Sequence, residues 1–339
     1  MGKFSILTVL LVMGMFLEIS LAVKPDWVSF MKQYKKEYKS AENAAKAMAK
    51  FEKTLARVDE HNKKFQNGEV QYTLAINEFA DEDPDEFHLT HHGLKPELRL
   101  DDSTRSVPHE RYVRATPPDS FDWRSSNKVS AVRNQGKCGS CWAFTSLSAV
   151  ESQVLIAGKS SVLLSEQHLL DCDTVDLGCN GGWPTNTFKW LQNNGGSKAD
   201  SAYPYTSGCC NTTGKCSGAN APAVQTVTGF ERLTMPATDD TLKSFLVTHG
   251  PLAIAVSGSE KWDPQYATGY LSRKVNQTMD HAVLLVGYGA DSVGKKYWII
   301  KNSWGTGWGD KGFAKILAGQ NDNVDCSVTK NLAAYPTIS

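Results

Sequence analysis

The stretch from Gln135 to Lys159 restricts this chain more than any other. After Gln135-Gly136-Lys137-Cys138-Gly139-Ser140-Cys141 comes an apolar-rich run, Trp142, Ala143, Phe144, Leu147, Ala149, Val150, Val154, Leu155 and Ile156, closed by Gly158 and Lys159. The run reads as a helix, and Gly158-Lys159 has the form of a helix stop. Cys141 therefore stands where a loop enters a helix. A cysteine attacks as its thiolate, and the unpaired N–H groups and positive dipole end of a helix N-terminus lower a thiol pKa. Gly136 and Gly139 leave room for backbone and substrate to approach closely. A bare C-x-x-C pair would read as a disulfide, redox or metal site. The residues around this one fit a narrower pattern.

Cys138-Gly139-Ser140-Cys141-Trp142 matches C-G-[SA]-C-[WY] at every position. The chain thereby resembles the papain-like cysteine proteases, in particular their cathepsin L-like branch, as a preproenzyme. The resemblance implies an α+β protein of two halves, one helical and one β-barrel-like, with the active site in the cleft between them and an α-helical propeptide in front. From Phe121 onward the sequence agrees with that order. Ser165–Leu170 and Thr185–Gln192 read as helices, whereas Leu252–Val256, Ala282–Tyr288 and Tyr297–Lys301 read as strands bounded by Gly and Pro.

The amino terminus assigns a compartment. Lys3 precedes an apolar stretch from Phe4 to Leu17, and Ser20-Leu21-Ala22 supplies small residues for cleavage, so residues 1–22 read as a secretory signal. A membrane anchor fits less well, because the run is short and Glu18 interrupts it. Export to the lysosome or the extracellular space follows, and the sequons at Asn211 and Asn276 are permissive for glycosylation. The net charge is zero, which gives no general electrostatic reason to bind nucleic acid or an acidic membrane.

Residues 23–114 lack cysteine and are dense in Lys, Glu and Asp. Trp27, Phe30, Met31 and Tyr34 recur at helical steps, and a second helical stretch runs from Glu42 to Asn67. The family propeptide motif E-x3-R-x3-F-x2-N-x3-I-x3-N keeps its register at Phe51, Val58 and Asn62 and departs at Asn43, Ala47 and Thr54. Glu42 and Lys46 can form a substitute i,i+4 ion pair. A second motif, G-x-N-x-F-x-D, is kept as Ala75, Asn77, Phe79 and Asp81. Residues 23–114 are accordingly read as an inhibitory propeptide that runs backwards through the cleft, with a polar tether from about Leu94 to Arg114 holding Arg99, Arg105, Arg111 and Arg114. The protease domain is then 115–339.

A catalytic thiol needs a base and a group to orient it. Of the three histidines after residue 115, His168 lies in a helix beside Cys172 and His249 ends a helix before Gly250-Pro251; both read as structural. His281 opens a strand and follows Cys141 by 140 residues, within the spacing of about 130–150 expected between nucleophile and base. Asn302, in Lys301-Asn302-Ser303-Trp304-Gly305, is the residue that the resemblance implies as orienter. Its spacing of 161 is longer, and a Gly-, Ser- and Lys-rich turn at 290–296 accounts for the excess. Cys141 and His281 then form a thiolate–imidazolium pair, Asn302 orients the ring, Trp304 shields that bond, and the Gln135 amide with the Cys141 N–H binds the oxyanion. No metal or cofactor is called for.

By the same resemblance Gly181 and Gly182 pair with an extended substrate. Trp183, Pro184, Ala255, Met279 and Asp280 line its subsites, with Leu332 near the floor of the second. That pocket is apolar and favours leucine, valine or proline two residues before the cut. Expected partners are protein and peptide substrates, the chain's own propeptide and cystatin-type inhibitors, and the state expected is a monomer. Eight cysteines in an exported chain imply disulfides, but Cys141 must stay reduced, which leaves an odd seven. The resemblance pairs Cys138 with Cys179, and Cys172 with a cysteine after Tyr203-Pro204-Tyr205, for which Cys216 is favoured. It leaves Cys209, Cys210 and Cys326 unplaced. A scaffold without activity would lack the nucleophile or base, and an exopeptidase would carry an inserted loop with paired histidines. The only adjacent histidines, His91 and His92, lie in the propeptide.

Overall fold

The apolar runs at 252–256 and 281–290 are strands buried on both faces, and the architecture is arranged around them. The computed structural model describes residues 25–100, 106–108, 116–217, 222–258, 262–272, 278–319 and 326–339. The signal at 1–22, Asn276, and Arg105, Arg111 and Arg114 of the tether lie outside these. In chain order the elements are α1 (Trp27–Gln33), α2 (Ala41–Gln66), β1 (Tyr72–Leu74), α3 (Pro84–His91), β2 (Ser106–Val107), β3 (Phe121–Asp122), α4 (Cys141–Ile156), α5 (Glu166–Cys172) and α6 (Pro184–Asn193). They continue with β4 (Val227–Leu233), α7 (Asp239–His249), β5 (Leu252–Val256), β6 (Tyr266–Leu271), β7 (His281–Ala290), β8 (Lys296–Lys301), β9 (Phe313–Leu317) and β10 (Ala333–Ile338).

The strands form one open sheet in the order β1-β6-β9-β8-β7-β5-β10-β4-β2, with β3 against β7. Both ends of that path, β1 and β2, come from the segment that precedes the enzyme. β5 and β7 are antiparallel, Leu252 opposite Leu285 and Val256 opposite His281. Because side chains alternate along a strand, the two faces build two cores. Leu252, Ile254, Val256, Val283 and Leu285 join Phe245 and Leu246 of α7 and Trp298 in one. Ala253, Ala255, Ala282, Leu284 and Val286 join Trp142, Leu147 and Val150 of α4 and Phe188 and Leu191 of α6 in the other. The helix α4 is apolar around most of its circumference because it lies in the middle of this second core.

The amino-terminal unit has its own small core of Phe30, Phe51 and Ala80, with Trp27, Met31 and Tyr34 packed on it. Along α2 the buried residues are Ala47, Phe51, Thr54 and Val58, a single helical stripe. The motif departures at Ala47 and Thr54 thus put small side chains where this stripe meets its neighbours. Glu42 and Lys46 do pair, at 2.7 Å on the exposed face. Asn62 clamps β1, donating to the Leu74 carbonyl and accepting from its N–H, both at 2.9 Å. β1 then pairs with β6 of the enzyme, and Arg57 bonds Asp263 and Gln265 beside it.

Beneath α4 the two halves share buried charge. Lys301 at the end of β8 donates to Ser130 Oγ at 2.9 Å and to Ser148 Oγ at 3.0 Å, and Ser130 donates in turn to Glu151 of α4. Glu151 also accepts the Leu164 N–H at 2.9 Å. Burial pushes the Lys301 amine down to about 8, with Glu151 opposing that fall, and pushes the Glu151 carboxyl up. Removing one partner of such a set leaves the other charge uncompensated, a loss of about 3–5 kcal/mol. Lys301→Met should lower stability to urea by that amount, and adding Glu151→Gln should recover part of it. Equal stability of wild type and Lys301→Met would show that the lysine does not compensate Glu151.

Candidate active site

Cys141 is the first residue of α4. Ser140 precedes it, and the Ser140 carbonyl takes the Ala143 and Phe144 N–H groups at 2.9 and 3.2 Å, which starts the helix. His281 is the first residue of β7, held by its pairing with Val256 on β5. Since α4 packs on β7, the starts of these two elements meet. The backbone N–H groups of Ala282 and Gly93 lie near enough to the Cys141 sulfur to favour its thiolate. The Nε2 of His281 lies 2.8 Å from Asn302 Oδ1, while Nδ1 has no hydrogen-bond partner among the described residues and is left for the cleft. The Trp304 ring sits 4.9 Å from the His281 ring.

Gln135 belongs to the same group. Its backbone N–H donates to the Ser303 carbonyl at 2.8 Å, and its side-chain Oε1 accepts from Ser303 Oγ at 2.6 Å. Its Nε2 donates to the carbonyls of Cys138, at 2.8 Å, and His91, at 2.9 Å. Ser303 also donates its N–H to Asn302 Oδ1 at 2.8 Å, so one serine fixes two of the four residues. Its role could not be read from sequence, since a serine beside an asparagine in a turn carries no signal of its own.

Residues 91–95 fill the cleft. Gly93 accepts the Gly182 N–H at 2.9 Å, Lys95 donates to the Gly182 carbonyl at 3.0 Å, and Leu94 donates to the Asp280 carbonyl at 3.0 Å. Leu94 and Gly182 form a parallel bridge. A Cβ on Gly93 would come within 1.8 Å of the Gly139 carbonyl oxygen, and one on Gly181 within 2.5 Å of the Gly93 oxygen. The two backbones meet without room for side chains between them. Leu94 shares an apolar cluster with Trp183, Ala255, Leu332 and the partly buried Met279. Pro184 opens α6 and gives its carbonyl to Ser146. The His92 ring stacks against both the His281 ring, at 5.0 Å, and the Trp304 ring, at 5.5 Å.

This cover changes the electrostatics expected from the sequence. Burial pushes the Cys141 thiol up to about 11, overriding the helix terminus and the two N–H groups that favour the thiolate. Burial and the neighbouring His92 hold His281 down to about 3. In the covered form burial thus opposes the charged form of both groups, against the thiolate–imidazolium pair expected from the sequence.

With this geometry in view, comparison with known proteins is decisive. Residues 117–336 match the papain family cysteine protease profile, and residues 27–87 match the cathepsin propeptide inhibitor domain. The chain belongs to the papain family of cysteine proteases. It is 35% identical to a cathepsin L of Sarcophaga peregrina over 93% of both chains. It is 34% identical to a digestive cysteine proteinase of Homarus americanus, covering 94% of this chain and 96% of that one. The solved digestive procathepsin L2 of Tenebrio molitor larval midgut superposes with a TM-score of 0.81 at 35% identity, covering 92% of this chain and 98% of that one. The chain is thus a cathepsin L-like cysteine endopeptidase with an inhibitory propeptide domain. No helix among the described residues is long and apolar enough to cross a membrane.

Three disulfides accompany the site. Cys138–Cys179 ties the loop before α4 to the Gly182 wall, Cys172–Cys216 fastens the end of α5, and the neighbours Cys209 and Cys210 bond to each other. Cys141 and Cys326 take no part in a disulfide.

Burial of the propeptide's histidines should make its hold on the protease depend on pH. Burial, with His92 adding, holds His88 down to about 4, and burial holds His91 down to about 3. Asp280, Asp263 and Asp85 face His88 and pull the other way, as Asp280 does for His281; Lys137 pushes His91 down further. A released segment returns these rings towards the ordinary value of 6.5, so the released state binds more protons below that pH. Glu78 and Glu82 act oppositely, because burial raises their carboxyls and docking takes up protons there. The imidazole displacements are the larger. Hydrogen-exchange protection of residues 84–95, measured on full-length Cys141→Ala, should fall as pH drops from about 6.5 towards about 4. His88→Gln should move that loss to lower pH. Protection that stays constant across the window would exclude the histidines as the cause.

Proposed function

We propose that residues 115–339 are a secreted or lysosomal endopeptidase that acts through Cys141, His281, Asn302 and Gln135, held inactive by residues 23–114 until these are cut away. The observation that carries this reading is how the covering segment lies on these residues: the His91 carbonyl takes the Gln135 amide, His92 stacks on His281, and Gly93 lies beside the Cys141 sulfur. Supporting it are the 2.8 Å contact of His281 with Asn302 and the use of the Gln135 amide to hold a peptide carbonyl.

Once the cover is gone, water reaches the site and Cys141 transfers its proton to His281, each charge then stabilising the other. The sulfur attacks a peptide carbonyl carbon, and the carbonyl electron pair moves to oxygen. That oxyanion is taken by the Gln135 amide and the Cys141 N–H; losing one such donor typically costs about 2.7–4 kcal/mol of barrier. As the tetrahedral centre collapses, the C–N bond breaks and His281 gives its proton to the leaving amine. His281 then draws a proton from water, which attacks the thioester and releases the acid and the thiol. Asn302 Oδ1 accepts the hydrogen bond from Nε2–H throughout and keeps Nδ1 facing the sulfur.

The reversed segment supports the subsite reading as well. Gly182 binds backbone at two atoms, and Leu94 shares the apolar cluster of Trp183, Ala255, Leu332 and Met279, consistent with a pocket for an apolar residue two before the cut. Asn211 is exposed and open to glycosylation. Cystatin-type inhibitors are expected to enter the same cleft, and the enzyme to act as a monomer.

Acid-processed protein treated with an epoxide inhibitor of cysteine proteases should lose activity with one label on Cys141, and Cys141→Ala should take up neither label nor turn over peptide. Turnover by Cys141→Ala would sink the assignment. A fluorogenic dipeptide with leucine two before the cut should be cleaved at least about tenfold faster than one with arginine, whose charge finds no partner in this pocket. Faster cleavage of the arginine peptide would mean that the pocket floor is not Leu332.

A further inference from the structure

Beyond the Gly182 wall a second side chain holds the covering segment by its backbone. Asn186, in the first turn of α6, is 1% exposed. Its Nδ2 donates to the Leu98 carbonyl at 2.9 Å, and its Oδ1 accepts the Leu100 N–H at 3.2 Å. The amide is held in place from behind. Nδ2 also donates to Asp176 Oδ1 at 3.1 Å, and the same oxygen accepts the Trp183 N–H at 2.9 Å. Asn186 and the substrate wall are thus fastened to one buried carboxyl, whose pKa burial and the neighbouring Asp173 raise to about 8. Beside Asn186 lies a cavity of about 300 Å³, reached by Leu100 and walled by Val175, Lys189, Trp190 and Asn193. Leu100 remains 36% exposed, so the cavity is not filled by the side chain that reaches it.

We propose that Asn186 and this cavity form a further substrate site in the processed enzyme. It lies at the outer end of the cleft and takes the backbone, and one aliphatic side chain, of a polypeptide several residues before the cut. The inference rests on the catalytic reading above, which places that side of the cleft before the scissile bond. Removing the cover leaves Asn186 with a donor and an acceptor already oriented, so little freedom is lost when another chain takes them. Extended chains of either direction offer N–H and C=O groups alternately, and a side-chain amide carries a partner for each. These bonds are blind to sequence, as an endopeptidase requires. Selectivity comes from the cavity, which Lys189 lines and no carboxylate does among the described residues, so that it disfavours lysine and arginine.

On processed enzyme, kcat/KM is compared for a fluorogenic dipeptide and for the same peptide lengthened residue by residue at its amino end, with leucine or lysine in the added positions. Leucine extension should raise kcat/KM about tenfold once the chain reaches Asn186, equivalent to about 1.4 kcal/mol. Lysine extension should give clearly less, and Asn186→Ala should lose most of the ratio of long to short. A ratio near one for wild type, equal gains from leucine and lysine, or a ratio untouched by Asn186→Ala overturns the proposal. The leucine and lysine series need only wild-type enzyme, so they decide even where the variant does not fold. Failure of wild-type enzyme on the dipeptide itself would instead overturn the catalytic reading.

Discussion

The packing of α4 against the alanine-rich face of β5 and β7 is the contact on which the rest of the structure depends. Ala253, Ala255 and Ala282 have little bulk, so the helix comes close to the sheet. Cys141 begins the helix and His281 begins the strand, and their meeting is set by how the two elements start. A nucleophile and base on one rigid element would be bound to a single spacing. The proposed nucleophile and base sit instead on opposite sides of a seam, and the seam is the cleft. The buried Lys301 reaches across it to the helix and adjoins Asn302, so the residue that holds the His281 ring is attached to the same contact.

With the chemistry proposed at this seam, covering it is an efficient way to silence it. The segment at 91–95 satisfies the donors of Gly182 and Gln135 and excludes water from a thiol and an imidazole that need water, or each other's charge, to ionise. The parallel bridge at Gly182 gives this peptide the backbone contacts of the wall. The same desolvation holds the imidazoles of His88 and His91 below their ordinary value, so that protonation should favour departure of the cover. On that expectation inhibition and its release draw on one physical term, the cost of burying charge.

Much of this could be read in the sequence because the residues involved are short-range signals. The run after Cys141, the strands at 252–256, 281–290 and 296–301, and the capped helices at 166–172 and 239–249 each carry their periodicity or punctuation locally. The open end of the sheet was not legible: β1 and β2 are three and two residues long and exist only because β6 and β4 offer edges. Arg57 and Ser303 were missed for a related reason, as each is an ordinary polar residue until its partner from far along the chain arrives. The charge state of Cys141 and His281 was also beyond the motif. A motif describes the working site, whereas burial by residues 91–95 is a property of the folded whole.

Asparagine solves the same problem twice in this chain. A segment with no strand partner along part of its length still needs its N–H and C=O groups satisfied, and one side-chain amide can take both. Asn62 does this for β1 from within α2, and Asn186 does it for residues 98–100 from within α6. The first clamp is internal to the propeptide and leaves with it. The second belongs to the protease and stays behind, still tied through Asp176 to the wall that binds substrate. The outer cleft is therefore built to hold a backbone whether or not the propeptide supplies one.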